Sequence, residues 1–340
     1  MRFVLIGIGA VGGTVAARLA AAGEDVLAVA RGAHARAVQE DGLRLATPDG
    51  VLHVRLPVVA DPSHLDLHDG DVLVLAVKGQ HTQAVLEALP LRAADLPVLC
   101  LQNGVANEAL ALRRHRAVHG VCVALPALHT EPGHVAVFIR PSAVLDVGRY
   151  PAGSDAVDTE VAGRWSAAGL LTRVRDDVMA WKHRKLLSNL GNAVEALTGT
   201  GLQGEQRDAV RRLHRLALAE GEDVLSAAGR PLVDEDAWAR EVADAWRLAE
   251  VPGVTRGGGS TWQSLLRGAG SVEADQLNGE VVLAARLLGR DAPINELLRR
   301  EVVDAATHRL PPGSVDAVAL LARASALLGE GPGGDNSGPR

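Results

Sequence analysis

Lysine is rare in this chain, and its few lysines are the first candidates for chemistry. The 340 residues contain 35 lysines and arginines together, of which only Lys78, Lys182 and Lys185 are lysines. Burial can lower the pKa of a lysine enough for it to exchange a proton, whereas an arginine effectively never loses its proton. Donating a proton to a carbonyl group under reduction is one task that lysine can perform and arginine cannot.

Two of these lysines lie in the segment AWKHRKLLSNLGN at residues 180–192, which also carries two asparagines. If the segment is helical, Lys185, Asn189 and Asn192 occupy positions i, i+4 and i+7 and lie on one face. A solvated helix face would show the same pattern. Asparagine is a poor helix former, however, which favours a role in binding. We therefore predict that this face contacts a substrate.

A glycine-rich sequence, GIGAVG, begins at Gly7 between a short apolar run and a helical pattern. In that setting the first glycine permits a tight turn, the second lets a pyrophosphate approach the backbone, and the third lets helix and strand pack closely. We predict a dinucleotide-binding loop formed by Gly7, Gly9, Ala10, Val11 and Gly12. A glycine-rich turn without a ligand is the alternative interpretation.

The end of the second predicted strand bears on which dinucleotide is bound. It reads AVAR, so Arg31 stands where an NAD site usually has Asp or Glu to accept a hydrogen bond from the ribose 2′-hydroxyl. A guanidinium can pair with a 2′-phosphate instead. The sequence therefore predicts NADPH/NADP as cofactor, with a solvated loop cation as the alternative role for Arg31.

These residues must be positioned by regular elements, and the first half of the chain alternates between strand and helix patterns. Continuous apolar strands between helices are typical of a parallel sheet that is covered on both faces. The predicted strands are 2–7, 25–30, 71–77, 97–102 and 118–125, with helix-length segments such as 81–89 and 105–114 between them. Two further runs, 134–139 and 142–148, have no helix between them and are predicted to extend the sheet as a hairpin.

The pattern changes after residue 174, where helical spacing of apolar residues replaces strand signals. Helices are predicted within 176–198, 205–228, 235–249, 271–288 and 293–307. The prediction is thus an α/β Rossmann-type doubly wound sheet followed by an all-α C-terminal domain. The predicted boundaries are 1–174 for the NADP-binding domain, 175–328 for a helical substrate and dimerisation domain, and 329–340 for a disordered tail rich in glycine.

Composition argues against several classes of partner. The net charge of -6 offers no basic field for nucleic acid or anionic lipid, and with 2% aromatic residues there are few stacking platforms. Cys100 and Cys122 lie in apolar runs and are predicted to be buried, reduced thiols. We expect no membrane span, a cytoplasmic location, and no metal, because the histidines lack ligand spacing. The apolar faces of the helical domain make a homodimer plausible.

Several motifs together resemble the ketopantoate reductases, or 2-dehydropantoate 2-reductases. They are GIGAVGG, AVAR, VKGQ, LQNG, RKLLSN and STWQSLLRGAGSVEADQLNG, and the resemblance extends from residue 1 to about residue 310. It implies an NADPH-dependent enzyme with a Rossmann domain and a helical domain similar to the C-terminal domain of 6-phosphogluconate dehydrogenase.

The resemblance also implies roles around the cofactor. Besides the glycine loop, Arg31 would bind the NADP 2′-phosphate, and Lys78 would lie near the cofactor at the end of a strand. Asn103 would lie at the junction of cofactor and substrate. Glu273 matches a glutamate near the nicotinamide ribose and the active-site lysine.

For the substrate, the resemblance implies that Lys185 is the catalytic general acid and that Asn189 anchors the substrate. The substrate-binding serine of the family falls at Thr261, with Ser260 beside it, and either hydroxyl could serve. Asn192 stands one position before the family's second helix asparagine.

Further departures also lie near the predicted substrate. Ala193 occupies the strict position of that second asparagine, and His81 stands where glutamine is usual. The spacing from Trp181 to Lys185 is longer than the usual two residues. The roles of Lys182 and His183 stay open.

Three functions are compatible with these features. The first is reduction of ketopantoate for pantothenate synthesis, with hydride transfer to the 2-keto carbon, Lys185 as general acid and Glu273 supporting it. The second is reduction of another 2-ketoacid or ketone on the same fold. The third is a non-catalytic NADP-binding sensor, which would more readily have lost Lys185 or Glu273.

Overall fold

The structure, a computed structural model, describes residues 1–329 with the exception of the side chain of Ala243. Its strands are β1 (Arg2–Ile6), β2 (Val26–Val29), β3 (Leu43–Thr47), β4 (Gly50–Val54), β5 (Val58–Val59), β6 (Asp71–Leu75), β7 (Val98–Cys100), β8 (Val118–Ala124), β9 (Ala127–Glu131), β10 (His134–Val137), β11 (Ile139–Arg140), β12 (Val144–Arg149), β13 (Leu171–Val174) and β14 (Arg247–Leu248).

The helices alternate with these strands at first and then follow one another. They are α1 (Ala10–Ala21), α2 (Gly32–Asp41), α3 (Thr82–Ala88), α4 (Asn107–Leu112), α5 (Ala156–Ala167), α6 (Val178–Asn189), α7 (Gly191–Thr198), α8 (Gly204–Ala227), α9 (Glu235–Trp238), α10 (Ser260–Leu266), α11 (Asn278–Leu287), α12 (Pro293–Thr307) and α13 (Ala317–Leu327). Short 3₁₀ turns lie at Pro62–His64, Gly79–His81, Leu91–Asp95 and Glu273–Gln276, and Ala239–Ala243 forms a π-helical turn.

The largest sheet has eight strands in the order β13-β12-β8-β7-β6-β1-β2-β5. The six adjacent strands β8, β7, β6, β1, β2 and β5 of this sheet are all parallel to one another. The chain adds β2 and β5 on one side of β1 and then returns to add β6, β7 and β8 on the other. This order confirms the predicted Rossmann-type doubly wound sheet. Ligands of such sheets bind at the carboxyl ends of the strands where the order reverses, here between β1 and β6.

The central strands are apolar on both faces because both faces are covered. Phe3 and Leu5 of β1 point into one hydrophobic cluster, whereas Val4 and Ile6 point into the other, and all four are fully buried. On the first face the buried ring of Trp165, from α5, lies 6.1 Å from the ring of Phe3. Burying a side chain of this size stabilises the fold by roughly 1.5–3 kcal/mol, which makes these strands easy to recognise in the sequence.

The predicted hairpin of residues 134–139 and 142–148 is wrong. β12 does join the main sheet, antiparallel to β8, but β10 pairs with β3 and β9 in a separate four-stranded sheet of order β4-β3-β10-β9. That sheet covers α1, where a Cβ on Gly13 would lie 3.0 Å from Cγ1 of Val135. Val135 and Val137 of β10 are buried there. β10 therefore covers α1 instead of extending the main sheet.

The chain folds as two compact units. The first comprises Met1–Lys185 and Leu232–Arg256, and the second comprises Leu186–Pro231 and the chain from Gly257 onward. The division between the two units falls within α6, between Lys185 and Leu186, whereas the sequence predicted a domain boundary after residue 174. It also assigns the segment after α8 to the first unit, where β14 pairs with β11. The predicted helix at 235–249 is interrupted there, because α9 is followed by a π-helical turn and by β14.

The second unit, over its described residues, consists of helices and 3₁₀ turns without a β-strand, which confirms the predicted all-helical part of the fold. Its longest helix, α8, packs closely against the end of α6. A Cβ on Gly221 of α8 would lie 2.7 Å from Cδ1 of Leu190 and 2.9 Å from Cδ2 of Leu187. Glycine at position 221 therefore lets these two leucine side chains approach α8 closely.

Helix α13 ends at Leu327, close to the predicted end of the helical domain. The predicted disordered tail at 329–340 lies outside the described residues from position 330 onward. Within residues 1–329, no helix is both long and apolar enough to cross a membrane.

Candidate active site

The glycine loop connects β1 to α1 at the reversal of strand order. Gly7 has a φ of 95°, in the region that favours glycine. A Cβ on Gly7 would lie 2.8 Å from Cγ1 of Val77, and a Cβ on Gly12 would lie 2.0 Å from the carbonyl oxygen of Gly7. A Cβ on Gly9, the N-cap of α1, would meet nothing within 4 Å. Gly7 and Gly12 thus permit the tight turn, whereas Gly9 leaves open space at the N-terminus of α1.

Three other predicted cofactor residues follow parallel strands of the same sheet. Arg31 follows β2 as the exposed N-cap of α2, and Lys78 follows β6 as the partly buried N-cap of a 3₁₀ turn. Asn103 follows β7 and is also partly buried. Because the carboxyl ends of parallel strands meet at one edge, the structure brings these residues to the edge that carries the glycine loop.

A histidine that the sequence analysis did not single out contacts the glycine loop. His34, from the first turn of α2, has its Nε2 atom 2.8 Å from the carbonyl oxygen of Ile8. Its Nδ1 atom accepts a hydrogen bond of 2.9 Å from the backbone N–H of Gly133, so Nε2 carries the proton and donates to Ile8. Burial lowers the pKa of His34. The spacing of residues along the sequence does not predict the contact between His34 and Ile8.

Lys185, the predicted general acid, lies on α6 and is partly buried. Loss of hydration on burial lowers the pKa of its ammonium group and outweighs the opposing effect of the nearby Cys122. A lysine in this environment gives up its proton more readily than an exposed lysine. Asn189 is the last residue of the same helix and is 6% exposed.

The predictions for both cysteines as buried free thiols are confirmed. Burial raises the pKa of Cys122 to about 12 and raises that of Cys100 well above its ordinary value. Neither is therefore a thiolate at neutral pH, and neither has the low pKa of a catalytic cysteine.

In the helical unit, Asn192 on α7 lies close to the start of α10, which carries Ser260 and Thr261. The backbone N–H of Gly259, just before α10, donates a hydrogen bond of 2.8 Å to Oε2 of Glu195. The sequence analysis did not single out Glu195, because only the fold reveals which backbone N–H its carboxylate contacts. Thr261 is 4% exposed, whereas Ser260 is partly buried. The structure therefore brings three of the predicted substrate residues into one neighbourhood.

An open cavity of about 450 Å³ adjoins this neighbourhood. Asn192 and Glu195 line it from α7, and His214 lines it from α8. Burial lowers the pKa of His214, although the carboxylate of Glu195 opposes that shift.

Glu273 and Asn278 belong to the C-terminal motif of the resemblance. Glu273 begins a 3₁₀ turn and is partly buried. Asn278 is 1% exposed, and its Nδ2 donates to the carbonyl oxygen of Leu190 at 3.2 Å and to Oδ1 of Asn295 at 2.9 Å. Asn278 thus stabilises the junction between α6 and α7.

One group of potential metal ligands occurs among the described residues, formed by His119, Asp155 and Asp158. His119 Nδ1 lies 2.7 Å from Oδ1 of Asp158, and Asp155 pairs with Arg149 at 2.9 Å. The two aspartates also form the capping box of α5. These contacts give all three side chains a structural role at a helix N-terminus.

Comparison with known proteins identifies the family. Residues 3–151 match the model described as Ketopantoate reductase PanE/ApbA, and residues 177–304 match its C-terminal model. The 2-dehydropantoate 2-reductase of Halobacterium salinarum is 33% identical over 295 residues, covering 84% of this chain and 92% of that protein. The enzyme of the same name from Pyrococcus horikoshii is 27% identical over 299 residues, covering 88% of this chain and 95% of that protein.

Solved structures agree with this match. A PanE/ApbA family ketopantoate reductase from Ralstonia eutropha superimposes with a TM-score of 0.74 and 30% identity, covering 91% of this chain and 99% of that one. D-mandelate dehydrogenase with NADH and anilino(oxo)acetate gives a TM-score of 0.75 at 19% identity, with the same coverage, which shows a common fold. The chain therefore belongs to the ketopantoate reductase family of oxidoreductases that act on CH–OH groups.

Proposed function

We propose that this protein reduces 2-dehydropantoate to pantoate with NADPH. The observation that carries the proposal is Lys185, a partly buried lysine with a lowered pKa in a chain that otherwise uses arginine almost throughout. The relatives named 2-dehydropantoate 2-reductase support the choice of substrate.

The residues around the glycine loop fit a dinucleotide phosphate. Open space next to the backbone of Gly9 leaves room for a pyrophosphate at the N-terminus of α1. The exposed guanidinium of Arg31 can pair with a 2′-phosphate, and the ammonium of Lys78 adds positive charge at the same edge of the sheet. NADPH, when bound, supplies the hydride for the reduction.

Lys185 supplies the proton. As the carbonyl carbon at position 2 gains a hydride, negative charge develops on its oxygen. The Lys185 ammonium donates a hydrogen bond to that oxygen and then transfers its proton, so that the products are a hydroxyl group and a neutral amine. The lowered pKa of Lys185 makes its ammonium group a stronger acid and favours this transfer.

The remaining predicted residues orient the substrate in this proposal. Asn103 and Asn189 hold the oxygen-bearing end with their amides, and Ser260 or Thr261 receives the carboxylate or a hydroxyl group. Glu273 is assigned to the nicotinamide ribose by the family resemblance. Asn192 contributes a further amide from α7.

A second candidate is reduction of a different 2-ketoacid by the same residues. It is favoured by Thr261, which is buried and carries a methyl group that the serine of the family lacks. That methyl group narrows the space for the substituent on the keto carbon.

The test is the decrease in NADPH absorbance with ketopantoate and with a panel of 2-ketoacids of increasing size. We expect kcat/KM to be highest for ketopantoate and to fall by at least tenfold when NADH replaces NADPH, since a lost charge-assisted contact is worth about 1.5–3 kcal/mol. A higher kcat/KM for another ketoacid would favour the second candidate. Tight NADPH binding without turnover of any ketoacid would leave only a sensor role.

A further inference from the structure

Lys182, whose role the sequence left open, is buried beneath the loop that carries Asn103. Its side chain is 2% exposed, and its Nζ donates to the carbonyl oxygens of Gln102 at 2.8 Å and Val121 at 3.1 Å. Oε1 of Glu108 lies 2.8 Å from the same nitrogen. The ammonium therefore contacts the chain just after β7, the middle of β8 and the first turn of α4.

The carboxylate of Glu108 depends on this lysine. Its side chain is 0% exposed, neither oxygen accepts a hydrogen bond from the described residues, and the charge is compensated by the ammonium of Lys182. Gly120 on β8 leaves room for the pair, because a Cβ there would lie 3.2 Å from Cδ of Lys182 and 3.4 Å from Oε1 of Glu108. Two charges buried in this way are costly unless they compensate one another.

A second group of hydrogen bonds extends from the same loop. Nε2 of Gln102 donates to the carbonyl oxygen of Val77 at 2.7 Å and to Oγ1 of Thr82 at 2.8 Å. Thr82 Oγ1 donates to Oδ1 of Asn107 at 2.8 Å, and Asn107 Nδ2 donates to the carbonyl oxygen of Asn103 at 3.1 Å. The backbone on either side of the loop is thus held by buried side chains.

These contacts converge on three residues of the proposed reaction. Val77 immediately precedes Lys78, and Gln102 immediately precedes Asn103. Lys182 lies on α6, one turn before Lys185. The buried ion pair therefore joins α6, which carries the candidate acid, to the chain just before Asn103. The side chain of Gln102 continues these contacts to the chain just before Lys78.

We infer that Lys182 and Glu108 are a pair of positioning residues that fix the Asn103 loop relative to α6 for catalysis. The inference rests on the proposed function, because it assigns the pair a role in that reaction. Buried ion pairs often contribute little net stability compared with an apolar pair of similar size, so stability alone gives no reason for one here. A misplacement of reacting groups by about 1 Å, in contrast, slows turnover markedly.

The test compares three variants for kcat, for the NADPH dissociation constant by fluorescence titration, and for the thermal midpoint. Glu108→Leu combined with Lys182→Met replaces the pair by apolar side chains, so that neither charge is left without a partner. Gly120→Ala keeps the pair but displaces it. Asp95→Asn combined with Arg116→Met removes an exposed ion pair and is the matched control.

We expect the apolar pair to keep its thermal midpoint and NADPH dissociation constant while kcat falls by at least about tenfold, as displaced reacting groups require. Gly120→Ala should lower kcat in the same direction, and the control should match the wild type. Gly120→Ala keeps the test decisive if the apolar pair does not fold. Wild-type kcat in either variant would overturn the inference. Activity is measured on the 2-ketoacid that the wild type reduces fastest, so an inactive wild type would overturn the proposed function instead.

Discussion

A Cβ atom on Gly12 would lie 2.0 Å from the carbonyl oxygen of Gly7, far inside van der Waals contact. Between them in the same loop, a Cβ on Gly9 would meet nothing within 4 Å. The two positions therefore require glycine for different reasons. Gly12 is required by the fold itself, whereas the structure explains glycine at position 9 only if something else occupies the space beside it.

This difference leads to a matched pair of substitutions. Gly12→Ala should lower the free energy of unfolding by about 1–3 kcal/mol, the usual cost of overpacking. Gly9→Ala should leave it unchanged, because Gly9 has an ordinary φ of -68° and free space. The measurement is denaturant unfolding of both variants.

The same pair tests cofactor binding. Gly9→Ala should weaken NADPH binding by about tenfold or more, equivalent to 1.4 kcal/mol, because its methyl group would meet the pyrophosphate. Tight NADPH binding by a stable Gly9→Ala variant would show that the pyrophosphate does not approach this backbone.

Arg31 should determine the preference for NADPH over NADH. Its guanidinium is exposed at the start of α2, so replacing it should not disturb the core. Arg31→Ala should raise the dissociation constant of NADPH by roughly tenfold to a hundredfold, as expected for a hydrogen bond to a charged group. The dissociation constant of NADH should change little. Equal losses for the two cofactors, measured by fluorescence titration, would argue against a 2′-phosphate contact.

Much of the main sheet could be predicted because its strands are apolar on both faces. β1 and β6 lie between covering helices and appear in the sequence as unbroken apolar runs. The second sheet was missed, since β3 alternates between buried and exposed residues over a short length and has a hairpin partner that is mostly exposed. Which strands pair is a non-local property, and for this reason the predicted hairpin of β10 and β12 failed.

Residues of the candidate site could be predicted only where the residue type and its near neighbours in the sequence indicate a chemical role. The glycine loop and Lys185 can be found from residue type and neighbours along the chain. The partners of Lys182 cannot, because Glu108 is 74 positions away and becomes its neighbour through the pairing of β7 and β8. His34 likewise contacts Ile8 only because of the fold, and no pattern in the sequence around His34 predicts this contact.

His34 should make the stability of the first unit depend on pH. Burial lowers its pKa in the folded state, where Nδ1 accepts a hydrogen bond from Gly133 and neighbouring His134 disfavours a positive charge. As the pH falls below about 6.5, the unfolded chain binds a proton that folded His34 resists, so stability decreases on acidification. One such group contributes at most about 1.4 kcal/mol per pH unit.

The measurement is the free energy of unfolding between pH 7 and pH 5 for the wild type and for His34→Gln. We expect a shallower loss of stability in the variant, since its amide does not titrate. His115 and His214 have pKa values lowered by burial as well, so a residual slope should persist. Identical slopes for the two proteins would exclude His34 as a contributor.

Lys185 carries the central claim, and its pH dependence has a defined direction. A general acid must be protonated, so kcat should be constant at low pH and fall as the pH rises through the pKa of Lys185. Because burial lowers that pKa, the fall should begin below the range of an exposed lysine.

The most direct measurement is kcat for NADPH oxidation with ketopantoate in the wild type, Lys185→Ala and Lys185→Arg, together with NADPH binding. Arginine keeps the positive charge but cannot give up a proton, which makes it the matched control. We expect both variants to bind NADPH while kcat falls by about two decades or more, the usual contribution of a general acid. Turnover by either variant within a few-fold of the wild type would contradict the assignment of Lys185 as the proton donor.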